Sequence, residues 1–245
     1  GFNSSVRTLT AYGSNLIAGG WFTTAGGVSA IGIAQWDGTI LLTNSITSNL
    51  QTLNVNLNIN PPSSSSSVSL TDALTLNGNL TISSGTLIAN NKNISLTGNW
   101  NGTGGTFTSG TGTVTFNGTA NNVTQTLNPG ASSFYDLTIN NTGTGTAKVQ
   151  LSTNALTVTH YMYVNAGTFD PNSLTVTGSG TNTLNVTGTI LVDAATFAGS
   201  YASFETLALN SGSTVSYNGS GAQVATSINY YNLTVNKSGG SLSLA

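Results

Sequence analysis

Apolar and polar residues alternate along most of the chain, in runs that are unusually short. The clearest stretch is Leu53-Asn-Val-Asn-Leu-Asn-Ile59, where every second residue is aliphatic. Later runs are briefer: Leu74-Thr-Leu76, Leu80-Thr-Ile82, Thr86-Leu-Ile88 and Ile94-Ser-Leu96. A period of two predicts β-strands with one apolar face, because successive side chains on a strand point to opposite sides. Between the runs stand Asn-Gly, Ser-Gly and Asn-Asn-Lys, which tolerate the positive φ of tight corners. Equivalent features return roughly every 20 residues, from Leu74 to Ile94 to Val114 and again from Leu156 to Leu174.

A longer phrase is written twice. Thr113-Val-Thr-Phe-Asn-Gly-Thr119 with Phe134-Tyr-Asp-Leu-Thr-Ile-Asn-Asn141 returns as Thr214-Val-Ser-Tyr-Asn-Gly-Ser220 with Tyr230-Tyr-Asn-Leu-Thr-Val-Asn-Lys237. Short strands at a coil-like spacing predict an array. The expected fold is all-β, a right-handed parallel β-helix or solenoid with short irregular coils, inner residues stacking into a narrow core. Tandem antiparallel β-sandwiches are the alternative, since they also give short strands with frequent turns. Roughly ten coils at ~4.8 Å per step give a rod on the order of 50 Å. Asn185–Asp193 has no counterpart at the matching place in the first copy and is expected to be an insertion that disturbs the register.

Three regions follow. Residues 1–39 differ from the rest: Val6–Tyr12 and Asn15–Ala18 predict strands joined at Gly13-Ser14. Then come Gly19-Gly20-Trp21-Phe22-Thr-Thr-Ala-Gly26-Gly27 and Ile31-Gly-Ile-Ala-Gln-Trp36-Asp37-Gly38. This segment resembles one blade of the propeller-type repeats of bacterial surface proteins, although a propeller needs at least about four blades to close. Residues 40–67 hold the alternating strand and then Pro61-Pro62 with five serines. That tract is expected to be a loop or hinge, since proline donates no ladder hydrogen bond and serine-rich segments are flexible. Residues 68–245 carry the repeats. Their phrases, from Leu74 through Leu96-Thr-Gly-Asn-Trp100 to Phe134–Asn140, resemble the β-helical repeats of large bacterial surface adhesins. The resemblance implies secretion and repetition and brings no catalytic residue with it.

Charge narrows the partners. Only ten residues are charged, with a net charge of −2. No basic footprint for nucleic acid exists, so that partner class is dropped. No apolar run approaches the ~20 residues of a spanning helix, and few strands reach the ~9–11 of a membrane barrel. Disorder would need low hydrophobicity with high net charge, and 38% of the residues are hydrophobic. The absence of cysteine removes disulfides and thiolate metal sites. Gly1-Phe-Asn-Ser-Ser lacks the features of a signal peptide, and the final phrase stops partway, so either the chain is an excerpt or a neighbouring subunit completes it.

Candidate chemistry is sparse, and no catalytic residue, cofactor or metal site is expected. Asp170 and Asp193 are spaced to meet on adjacent coils, as a carboxylate pair would need. Asp72 and Lys92, 20 apart, are expected to form a surface ion pair. His160, the lone histidine, cannot hold a metal by itself and is expected near the surface. Thr-x-Thr units such as Thr157–Thr159 and Thr175–Thr177 are expected as ordinary strand exterior. The aromatic residues Trp21, Trp36 and Trp100, with Tyr135, Tyr161, Tyr163, Tyr230 and Tyr231, have flat faces suited to stacking on sugars or to packing coil corners, and Trp21, Trp36, Trp100, Tyr161 and Tyr163 are the candidate glycan or partner contacts. The expected function is a non-enzymatic, extracellular or cell-surface structural or adhesive protein, self-associating head to tail through its β edges and contacting surface glycans. A carbohydrate-binding or polysaccharide-cleaving β-helix is the alternative.

Overall fold

The computed structural model describes residues 2–12, 15–25, 28–29, 33–36, 45–61 and 63–245, the side chains of 9–12, 15–17, 28–29 and 33–36 excepted. The turns expected at Gly13-Ser14 and Gly26-Gly27, the Asp37-Gly38 strand end and Pro62 lie outside the described residues. Val6–Tyr12, Asn15–Gly20 and Ile33–Trp36 form a three-stranded antiparallel sheet with the 15–20 strand in the centre. Thr24–Ala25 and Val28–Ser29 form a small antiparallel pair.

From Ser45 onward the pairing is parallel, and the strands stack into a β-solenoid with three faces; antiparallel sandwiches are thereby ruled out for this region. Each coil from Ser45 to Tyr217 visits the faces in the same order. The first coil runs Ser45–Ile46, Thr52–Leu53, Leu57–Ile59, and the second Ser67–Leu70, Leu74–Leu76, Leu80–Ile82. The second face reaches eight strands and the third face nine, ending at Asn232–Val235. Among the described residues the stack starts at Ser45, within the 40–67 stretch expected to hold a strand and then the Pro-Ser tract. The described part of the Pro-Ser tract lies at a coil corner between Leu57–Ile59 and Ser67–Leu70, where Pro61 is buried and Ser66 N donates to Ser63 O at 3.0 Å. Nine rungs at ~4.8 Å span roughly 40 Å, slightly less than ten coils would.

In-register parallel pairing explains why alternation suffices as a code. Leu74 lies over Ile94, then Val114, Leu137, Met162 and Leu184, and all six are buried. Each such side chain contributes about 1.5–3 kcal/mol by leaving water. The residues between them, Thr75, Ser95, Thr115 and Thr138, form an outward column in the same register. Corners are fixed by asparagine. Asn79 N donates to Asn56 Oδ1 (2.9 Å), Asn99 N to Asn79 Oδ1 (2.7 Å) and Thr126 N to Asn99 Oδ1 (2.7 Å), so one corner carries a carboxamide ladder. At Gly98 a Cβ would sit 2.4 Å from Gly78 O, so only glycine lets the coils approach there.

Coil length varies from 18 residues (Val215 to Leu233) to 27 (Trp100 to Leu127). The doubled phrase is consequently not in phase with the faces. Thr113–Phe116 pairs with Asp136–Asn140 on the second face, whereas Thr214–Tyr217 pairs with Asn232–Val235 on the third. In both copies a buried glutamine staples the corner. Gln125 Oε1 accepts from Gly118 N (3.0 Å) and its Nε2 donates to Gly98 O (3.0 Å); Gln223 Oε1 accepts from Gly219 N (3.1 Å) and its Nε2 donates to Val192 O and Ala194 O (both 2.7 Å). Asn185–Asp193, expected as an insertion, instead supplies regular strands Thr183–Val186 and Thr189–Val192. The irregular excursion comes directly after them, as the short helix Phe197–Ser200 capped by Thr196.

Candidate functional site

Most of the described solenoid exterior is Thr, Ser and Asn, but the second face carries one aromatic ledge. The outward positions of Tyr161–Ala166 are Tyr161 and Tyr163, in the columns that elsewhere hold Asp136 with Thr183 and Thr138 with Asn185. The corner before this strand supplies His160, and the coil before it supplies Tyr135. Tyr135 stacks on His160 with ring centroids 4.6 Å apart and planes 27° apart; His160 lies 3.8 Å from Tyr161, and Tyr161 lies 5.5 Å from Tyr163. Asp136 fastens the group. Its Oδ1 is 2.9 Å from His160 Nδ1 and accepts from Tyr161 N at 2.9 Å, so one carboxylate sets both a ring and the strand that follows. Burial, then the charge of Asp136 and the neighbouring Tyr161, raises the Tyr163 phenol above its usual range, and it stays neutral at physiological pH. All four rings are half-buried, fixed at the base and open at the rim.

The other candidate aromatics do not join this ledge. Trp100 has no exposed surface: it lies inside the solenoid, edge-on to Phe107 (4.8 Å) and Phe134 (5.2 Å). It is a core residue with no face for a sugar, because its strand position points inward in register with Leu80 and Leu127. Trp21 is 72% exposed but belongs to the N-terminal sheet region, where the Arg7 guanidinium sits 3.9 Å above its ring. Trp36 ends the Ile33–Trp36 strand and its side chain lies outside the described residues. A groove of about 490 Å³ on the third face is lined by Asn79, Thr81, Asn99, Asn101, Thr126 and Asn128. The Asn79 and Asn99 carboxamides there are already engaged in the corner ladder, which makes the groove a by-product of coil packing.

Asp170 and Asp193 do meet, as their spacing suggested. Asp170 Oδ2 accepts from Lys148 Nζ and Gln150 Nε2, both at 2.6 Å, and its Oδ1 accepts from Asn172 N at 2.7 Å. Burial pushes the Asp170 carboxyl up, but the hydrogen bonds from Lys148, Asn172 and Gln150 prevail and hold it below the ordinary range. Burial, with the neighbouring Asp170 charge, raises Asp193 despite the hydrogen bond from Ser173 N. These groups close the Pro171–Ser173 corner, where Asn172 and Ser173 both have positive φ. Every oxygen of Asp170 is spoken for, so the pair is a corner fastening. Asp72 and Lys92 do not form the expected ion pair. Asp72 instead caps the corner of the preceding coil, accepting from Ser48 N (2.9 Å) and Leu50 N (3.1 Å), and the first of these does most to lower its pKa. Two backbone donors at fixed positions outcompete one mobile exposed ammonium. Among the described residues no group of three or more His, Cys, Asp and Glu converges to hold a metal ion. None of the described helices is long and apolar enough to cross a membrane.

The far end of the stack is the other distinctive surface. Asn232–Val235 pairs on one edge with Thr214–Tyr217 and, among the described residues, on no other. Its inward residues Leu233 and Val235 are 38% and 55% exposed, whereas Leu137 and Ile139, their counterparts in the first copy of the phrase, are fully buried beneath Met162 and Val164. Tyr231 and Leu244 are exposed at the same end.

Fold and surface together define a parallel β-solenoid with one aromatic ledge among the described residues. No family model, curated protein or solved structure matches the chain.

Proposed function

We propose that this chain is a non-enzymatic extracellular structural module, of the kind that builds bacterial surface adhesins, and that a second copy extends its solenoid end to end into a filament. The observation that carries this reading is the in-register parallel stack, which repeats one inward-outward alternation from rung to rung and so offers each rung as a template for a like strand. An uncovered strand edge with apolar residues is a template for another strand. Two unlike ends make a head-to-tail contact, which does not close and therefore propagates. Scarce charge at these strands makes the contact nearly independent of salt.

Light scattering after size-exclusion chromatography, with negative-stain microscopy, tests the reading. Linear oligomers that lengthen with protein concentration are expected, shortened by Val235→Lys. Monomer at every micromolar concentration, or a dimer that grows no further, would overturn it.

A further inference from the structure

We infer that the ledge of Tyr135, His160, Tyr161 and Tyr163 is a binding site for a neutral saccharide chain, a role independent of end-to-end assembly. Three observations carry it. The first is composition in register. The outward column Thr75, Ser95, Thr115, Thr138 is small and hydroxylic until it reaches Tyr163, and its neighbour passes from Asp136 to Tyr161. Neither position needs an aromatic ring to complete the core, which is filled from the inward residues Met162 and Val164.

The second is fixation. Asp136 holds both the His160 ring and the Tyr161 backbone, and the rings brace one another at centroid distances of 3.8–5.5 Å. Aromatic groups locked before a ligand arrives lose little entropy on binding it.

The third is the kind of surface the rings make. Half-buried rings offer apolar area, while among the described residues none of the Tyr135, Tyr161 and Tyr163 hydroxyls has a protein partner. The one acid of the ledge is satisfied by its own histidine at 2.9 Å, so a charged ligand gains no ion pair there. A partner must therefore bring C–H patches about one ring wide, edged with hydroxyl groups, and no net charge. A pyranose chain has that surface. A lipid tail would leave the phenols unpaired, which is costly.

Saturation-transfer NMR on the whole chain tests this, with cellohexaose and chitohexaose as probes and a proline-rich peptide as comparator, since polyproline segments also dock on aromatic surfaces. Transfer to the ring C–H protons of at least one saccharide is expected. Tyr161→Ala and Tyr163→Ala should each weaken binding by about tenfold, and Trp21→Ala should leave it unchanged. Tyr163→Leu keeps apolar bulk on the strand and serves as the same test if the alanine variant fails to fold. No transfer to either saccharide, transfer that survives the tyrosine variants, or binding of the peptide alone would overturn the assignment.

Discussion

Replacing Gln125 by leucine tests whether a buried side-chain staple, and not strand propensity, holds the long coil closed. Gln125 is 2% exposed and spans two coils. Its Oε1 accepts from Gly118 N at 3.0 Å and from Asn141 Nδ2 at 2.7 Å; its Nε2 donates to Gly98 O at 3.0 Å. It also reaches Leu96 O at 3.4 Å, but that carbonyl keeps a second donor, Asn117 N at 3.0 Å. Leucine matches the volume and leaves three polar groups without their partner. Each orphan costs about 1–3 kcal/mol, and part is recovered where water reaches the corner and where added apolar surface is buried. The net loss should be about 3–5 kcal/mol. Because a solenoid's stability is a sum over neighbouring coils, the damage should be local. Urea unfolding followed by circular dichroism measures the first expectation. Hydrogen exchange measures the second: faster exchange across 96–118 and 136–141, with little change near Leu57 or Ile190. A loss under about 1 kcal/mol would mean the corner is held by its strands alone, and the staple argument would fail.

Two further expectations follow from the buried groups. Trp100→Ala should cost about 3–5 kcal/mol through the cavity it leaves, whereas Trp100→Phe should cost far less, since the indole Nε1 it removes is buried without a hydrogen-bond partner; equal losses in thermal unfolding would refute this. For the carboxylate pair the sign runs both ways: Asp193, raised on folding, contributes stability at low pH that is lost as pH rises through its folded pKa, while Asp170, depressed on folding, contributes stability that is lost only in stronger acid. The gain in stability from Asp193→Asn should therefore grow as pH rises from the ordinary carboxylate range to neutrality, and a gain that stays flat in denaturant titrations across that interval would contradict the shared burial.

Inner and outer positions were legible in the sequence because parallel stacking is an unusually direct code. One residue in two faces the core, and in-register pairing repeats the choice coil after coil, so Leu74, Ile94 and Val114 declare a column by spacing alone. Tyr161 and Tyr163 were legible as outward residues for the same reason. Trp100 was not. The run around it, Asn99-Trp100-Asn101, is too short to show which face alternation assigns, and only pairing with Leu80 and Leu127 turns the indole inward. Tyr135 was legible only as one flat-faced aromatic among several, and His160 was missed as a ledge member, because both sit at corners, where no periodicity applies and ring-to-ring distance decides. Asp72 and Lys92 mislead for a related reason. A spacing of 20 places two residues at equivalent corners, but a carboxylate at a corner is nearer to the backbone donors of the previous coil than to any side chain of the next.

The doubled phrase shows what such a code actually repeats. Its two copies begin 101 residues apart, at Thr113 and Thr214, which brings the second onto the third face where the first lay on the second. What returns is a strand, an Asn-Gly corner, a glutamine that staples the corner to the coil below, and a strand that stacks on the first. None of these parts depends on which face it occupies, because all three faces share one inward-outward alternation. Such a unit can shift by a face without penalty, provided the intervening coils absorb the difference in length, as the corner around Phe197–Ser200 does. The apparent insertion at Asn185–Asp193 is then an artefact of counting in whole turns: those residues are ordinary rungs, met one face out of phase. It also explains why the two copies share their inner residues and differ at the rim. Leu137 and Leu233 hold equivalent inward positions on two different faces, over Val114 and Val215, whereas Asp136 binds a histidine and its counterpart Asn232 reaches only Ser213 O at 3.1 Å. Repetition in this chain constrains the core and the staple, and leaves the outer face free to carry a ledge in one copy and none in the other.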